Sequence, residues 1–225
     1  MSDTTMVKFS VPEKFRRGSL RHDERDSVDS AMKLLDLINK YAPIEGAKIL
    51  DFGCGVKLVQ GLIEKDNPHL KYTGVDVYEE MINYLTENCN YQSFEFKVLN
   101  FYNEMYNNKK GQKMTEESNL PIDPDKFDII TMFSVVTHLN PEDTLATLKI
   151  LKKYAHSKTK LIFSTFVDEN QKEDFIDKVP EKPLLKAYYR RSFLEDILTD
   201  SGWSILSLNK PIPRLIQHYY VCQPV

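Results

Sequence analysis

Two aspartates and two glycines carry the clearest chemistry in this 225-residue chain. Asp51, Gly53 and Gly55 stand at two-residue spacing in Lys48-Ile-Leu-Asp-Phe-Gly-Cys-Gly-Val56, and Asp76 closes the run Lys71-Tyr-Thr-Gly-Val-Asp. Glycine reaches backbone conformations closed to other residues and lets a ligand come close to the main chain. A helix that starts just beyond such a turn offers its first N–H groups to polar ligand atoms. A carboxylate at the end of the following strand can accept hydrogen bonds from a ribose diol. Together these residues describe a nucleotide cradle. A dinucleotide fingerprint, G-x-G-x-x-G, would need glycine at position 58, where the chain has Leu58, so an NAD-dependent oxidoreductase is disfavoured.

Those residues need strands and helices to hold them. Apolar runs predict strands at about 47–52, 71–76, 93–99, 127–133, 159–166, 203–208 and 217–222, with helices between most of them. Val28, Met32, Leu35 and Ile38 have helical spacing from Asp26 to Tyr41, with Asp26 or Ser27 as cap and Pro43 as stop. Alternating strands and helices imply an α/β fold, a doubly wound and mostly parallel seven-stranded sheet with helices on both faces. The last two strands are joined by too few residues for a helical crossover, which makes the last strand antiparallel. The polar segment 103–126 reads as a surface loop. Residues 168–186 are charged, with Pro180 and Pro183, and Tyr188-Tyr-Arg-Arg-Ser-Phe193 reads as a helix start. Residues 1–40 form an N-terminal arm and helix, and 41–225 the ligand-binding domain. In that frame Phe133 and Ser134 end the fourth strand at the ligand edge of the sheet, and His138 follows within a turn.

Composition bounds the rest. The chain is 41% hydrophobic and 28% charged, as in ordinary soluble proteins. No apolar stretch approaches membrane-spanning length and the start lacks a signal pattern, so the expectation is a cytoplasmic protein with no membrane partner. A net charge of −3 gives no global attraction to nucleic acid. Three widely spaced cysteines suggest neither a disulfide framework nor a metal knuckle, so no metal site is expected. Cys54 reads as a small side chain that fits the turn.

Asp-x-Gly-x-Gly resembles the cofactor motif of the class I (Rossmann-like) S-adenosylmethionine (SAM) methyltransferases. The resemblance extends to Phe127-Asp-Ile-Ile-Thr-Met-Phe-Ser-Val-Val-Thr-His-Leu139 and Lys160-Leu-Ile-Phe-Ser-Thr-Phe166, and covers roughly residues 45–225. It implies SAM as cofactor, with Asp51 either contacting the cofactor's ammonium or holding the glycine turn, and Asp76 on the ribose. Val77 would flank the adenine, and Asn100 and Phe101 occupy the place where relatives often carry an acid that meets the adenine amine. Lys57 stands where many members have a third glycine. The implied reaction is methyl transfer to a hydroxyl or amine of a small molecule, with His138 as the candidate base and the run Tyr188–Phe193, after the fifth strand, where such enzymes often build the acceptor wall. The alternative is a non-catalytic SAM-binding regulatory or scaffold subunit. The arm, about residues 9–25, combines apolar residues with Arg16, Arg17 and Arg21; it is expected to fold over the cofactor, with Arg17 gripping the carboxylate. Neither the acceptor nor the oligomeric state is written in the sequence.

Overall fold

A computed structural model describes residues 7–18, 21–66, 69–103, 107–108, 110–213 and 215–225. The expected βαβ succession is present. β1 (Lys48–Phe52), α2 (Lys57–Lys65), β2 (Lys71–Asp76), α3 (Glu79–Asn88) and β3 (Phe94–Val98) form the first half, preceded by α1 (Glu24–Tyr41). β4 (Phe127–Met132), α4 (Pro141–Lys153), β5 (Ala155–Asp168), β6 (Phe175–Asp177), β7 (Ala187–Arg190), α5 (Arg191–Asp200), β8 (Trp203–Asn209) and β9 (His218–Pro224) follow. The strand order is β3-β2-β1-β4-β5, all parallel, and β9 runs antiparallel to both β5 and β8. Chain order reverses between β1 and β4, and a switch of this kind opens a crevice at the carboxyl edge of a doubly wound sheet.

Apolar side chains pack on both faces. Leu148, Leu151, Leu194 and Leu198 from α4 and α5 meet Phe163, Trp203 and Tyr220 on one side. On the other, Leu35, Ile38, Leu58, Leu62 and Leu85 from α1, α2 and α3 cover Ile49, Ile162 and Val221. Because α1 shares this second core with α2 and the sheet, residues 24–41 are integral to the packed body. Its cap is Asp23, whose side chain accepts from Asp26 N; the expected Asp26 lies in the first turn.

Two segments differ from their sequence reading, and a third, the arm, has contacts the sequence did not specify. The sheet has two further short strands among the described residues. β7 continues the sheet beside the end of β5, Phe166 opposite Tyr188, and β6 pairs antiparallel with it. Tyr189 is fully buried there, bonded to Leu139 O and to Thr144. A four-residue strand is too short to register as periodicity, and prolines mask its partner. The insert 103–126 is also more than a surface loop. Met114 and Leu120 are buried in the core, and residues 100–102 bond to Gln112 through main-chain groups. Gly111 allows this approach, since a Cβ there would lie 2.4 Å from Phe101 C. Finally, the arm is docked. Val11 and Phe15 are buried, Glu24 accepts from Val11 N, and Gln60 Nε2 donates to Phe9 O. Leu20, part of the expected arm, lies outside the described residues.

Candidate active site

The glycine turn after β1 is built by bonds to β2. Gly53 N and Cys54 N both donate to Val75 O, at 2.8 and 3.1 Å, and Gly55 N donates to Asp76 Oδ2 at 3.0 Å. Gly53 and Gly55 have φ of +67° and +51°, in the left-handed region that disfavours a side chain. Their surroundings differ. A Cβ on Gly53 would sit 2.3 Å from Val135 Cγ2, so the turn presses against the segment after β4. A Cβ on Gly55 would meet nothing within 4 Å, which leaves its main chain open to a ligand.

Asp76 is half-buried and serves the turn as well as the crevice. Oδ1 accepts from Tyr78 N at 3.0 Å while Oδ2 holds Gly55. With the Val77 N–H also bonded, the carboxylate keeps a lone pair for a hydroxyl ligand. Burial raises its pKa, opposed by the backbone N–H groups of Gly55, Tyr78 and Val77 and by the charge of Arg17. Asp51 has a different setting. It is 1% exposed, beneath the turn, and accepts from Tyr72 OH at 2.8 Å and Thr131 Oγ1 at 2.7 Å. Its carboxyl presents no surface for a ligand ammonium, so of the two expected roles the geometry fits the structural one. Burial outweighs both hydroxyl bonds and, with the charge of Asp76, raises its pKa to about 7. Cys54 is buried, and its thiol is held well above the usual range by burial and by both aspartates, which suits packing and not nucleophilic attack. Lys57 is the first residue of α2; burial lowers its pKa.

On the far side of the crevice, Val77 and Phe101 are half-buried against the core. Asn100 is exposed, its carbonyl accepting from Gln112 N. The arm lies across the end of β2. The Phe15 ring meets Tyr78 edge-on at 5.7 Å, and Lys14 pairs with Glu80. The two adjacent arginines of the arm face differently. Arg17 is exposed, donates to Lys14 O and Arg16 O, and lies over the Tyr78 ring. Arg16 is the buried one, at 8% exposure, and its Nε and Nη1 have no acceptor. Both arginines line an open pocket of about 440 Å³ with Glu13, Lys14 and Arg21. Sequence reasoning chose Arg17 for the grip; which of the adjacent arginines is buried depends on the docking of Phe15, which no local pattern records.

At the end of β4, Phe133 packs beside Tyr219, with ring centroids 6.2 Å apart. Ser134 has φ of +58°, a strained conformation for a residue with a side chain. Its N donates to Ser164 Oγ at 2.8 Å, and Gln217 bonds to the hydroxyls of both serines. Ser164 and Gln217 were read only as strand residues and given no role in the site, and strain at Ser134 is visible only in the backbone. His138 ends a short 3-10 turn, Val136–His138. Its Nδ1–H donates to Leu184 O at 2.9 Å, which leaves Nε2 as the basic nitrogen. Burial lowers its pKa despite the backbone bonds to Leu184 and Leu185, so the ring is neutral at pH 7.

A doubly wound sheet with an antiparallel β9 beside β5, and a glycine turn tied to an acid at the carboxyl edge, make this a Rossmann-like fold. A family model described as "Methyltransferase domain" matches residues 22–208, and the chain belongs to that family. Among solved structures, a SAM-dependent methyltransferase from Aquifex aeolicus is 21% identical, covers 90% of this chain and 94% of its own, and superposes with a TM-score of 0.59. Magnesium protoporphyrin IX methyltransferase from Synechocystis PCC 6803 is 18% identical, with 93% and 89% covered and a TM-score of 0.60. A SAM-dependent methyltransferase from Clostridium acetobutylicum is 14% identical, with 92% and 94% covered and a TM-score of 0.58. At these identities the likeness is one of fold. No helix among the described residues is long and apolar enough to cross a membrane.

Proposed function

We propose that this chain transfers the methyl group of SAM to a hydroxyl or amine of a small molecule. The observation that carries the reading is Arg16. Arg16 Nε and Nη1 are buried without an acceptor, which is costly, and a carboxylate that reaches the guanidinium from the pocket it lines relieves part of that cost. The arm that buries it lies across Tyr78, two residues from Asp76, whose carboxylate accepts from both Tyr78 N and Gly55 N. Arg16 therefore takes the cofactor's carboxylate, Asp76 its ribose hydroxyls, and Val77, Asn100 and Phe101 border the adenine. Gly53 sets the turn, and Asp51 supports it from below.

The bound sulfonium supplies an electrophilic methyl carbon and a neutral leaving group. The chain's task is then mainly alignment and exclusion of water. Ser134, Phe133 and Gln217 border the acceptor side at the end of β4. His138, its tautomer set by Leu184, takes the acceptor's proton on Nε2.

Binding tests the cofactor half. Calorimetry should give micromolar affinity for S-adenosylhomocysteine. Asp76→Ala and Arg16→Ala should each weaken it by about 1–3 kcal/mol, the scale of a charge-assisted hydrogen bond lost, while Arg17→Ala should change it little. Equal effects at Arg16 and Arg17 would remove the assignment. Kinetics test the other half. His138→Ala should lower kcat about 100-fold with cofactor affinity nearly unchanged. Because a base must be deprotonated and burial lowers its pKa, activity should rise with pH along an acid limb centred below the ordinary histidine value. A limb centred above it, or full activity in the variant, would reduce His138 to an anchor for the Leu184 segment.

A further inference from the structure

The hairpin β6–β7 carries a feature that the cofactor site does not use. Phe166, near the end of β5, stacks on Tyr188 of β7, with centroids 4.8 Å apart and planes 11° from parallel. Lys186 Nζ lies 4.9 Å from the Phe166 centroid and 5.5 Å from that of Tyr188, and Lys178 Nζ lies 5.3 Å from Tyr188. Two ammonium groups thus share one aromatic platform. Among the described residues neither has an acidic partner, whereas Arg190 pairs with Asp174 and Arg191 with Glu169 and Glu195 close by.

The platform adjoins the end of β4. Ser164 Oγ accepts from Ser134 N, and Phe166 is two residues further along the same face of β5, about 7 Å away. The hairpin loop is fixed in place. Asp177 accepts from Val179 N and Leu184 N, Leu184 has φ of +57°, and Leu184 O accepts from His138. So the lysines stand on a braced loop beside the histidine and the strand end, not on a free tail. Neither ammonium is neutralised by an acid, so an oxyanion that reaches both gains a charge-assisted hydrogen bond from each.

We propose that the methyl acceptor carries an oxyanion, a carboxylate or a phosphate, which Lys178 and Lys186 hold while a separate hydroxyl or amine is methylated. This rests on the methyl-transfer reading above. The carbon–sulfur bond of the sulfonium breaks as the new bond to oxygen or nitrogen forms, the acceptor's proton leaves to His138 or water, and the oxyanion is untouched. The product therefore keeps its negative charge.

SAM with a labelled methyl group, offered to a small-molecule cell extract, tests this when the products are resolved by anion exchange. Label is expected in the retained products. Phosphatase treatment then separates the sources, since a phosphate monoester loses retention and a carboxylate keeps it. The double variant Lys178→Gln/Lys186→Gln should raise KM for the retained acceptor at least tenfold, with kcat and S-adenosylhomocysteine affinity near wild type, and Lys186→Arg should preserve most of the binding. Label confined to neutral or cationic products, or an unchanged KM in the double variant, overturns the lysine assignment while leaving methyl transfer standing. No labelled product from any fraction defeats the methyl-transfer reading itself.

Discussion

Gly53→Ala should destabilise the fold by about 2–4 kcal/mol and nearly abolish cofactor binding. Two costs combine. At φ of +67° an alanine Cβ crowds its own backbone, which costs about 1–2 kcal/mol. The same Cβ would lie 2.3 Å from Val135 Cγ2, and overpacking of this kind costs about 1–3 kcal/mol. Val135 cannot yield freely, since it packs against the core and precedes the turn that carries His138. The turn must move instead, and with it the bonds from Gly53 N to Val75 O and from Gly55 N to Asp76. Thermal or urea unfolding reads the stability loss, and calorimetry with S-adenosylhomocysteine reads the site. A double-mutant cycle separates the two costs. Val135→Ala should partly rescue Gly53→Ala by removing the clash, but the left-handed strain should remain. An unchanged midpoint in Gly53→Ala would show that the turn tolerates a side chain and that its tightness is not what shapes the cradle.

Asp51 should make stability fall as pH rises from about 4 to 7. Its carboxyl releases its proton near pH 4 in the unfolded chain but only at about 7 in the folded one. Between those values the folded state holds more protons than the unfolded state, so raising pH favours unfolding. The contribution is absent below pH 4, grows through the window, and is constant above 7. Its full size is on the order of 4 kcal/mol. Asparagine has nearly the same shape, does not titrate, and can still bond to the hydroxyls of Tyr72 and Thr131. Urea unfolding of wild type and Asp51→Asn at several pH values should therefore show the variant gaining relative stability as pH rises through the window, then levelling. A constant difference across that range would mean that Asp51 is ionised throughout and that the two hydroxyls outweigh its burial.

Much of the chain was legible because local rules decide it. Apolar runs separated by amphipathic segments place the main strands and helices, and Asn140-Pro141 opens α4 with its side chain accepting from Asp143 N, as a cap before a first-position proline should. Where several weak signals compete, the sequence was less informative. Asp23, Asp26 and Ser27 could each cap α1, and only the direction of chain entry selects Asp23. β6 and β7 were hidden because three- and four-residue strands owe their existence to the exposed edge of an unusually long β5, which no pattern within them records.

The amino-acid sequence by itself determined the order of the elements, the glycine turn between two acids, and the antiparallel last strand, since spacing, φ preference and connection length are local properties. Tertiary structure decided how those residues divide the work. It put Asp51 below the turn and Asp76 beside it, because β1 lies inside the sheet between β2 and β4. It turned Arg16 inward and Arg17 outward, because Phe15 docks against Tyr78 and Tyr84. It brought Ser134 after β4, Ser164 within β5 and Gln217 before β9 into one bonded triangle, and set two lysines on a shared aromatic platform. Such contacts join positions tens of residues apart, and burial and register fix them only when the sheet closes.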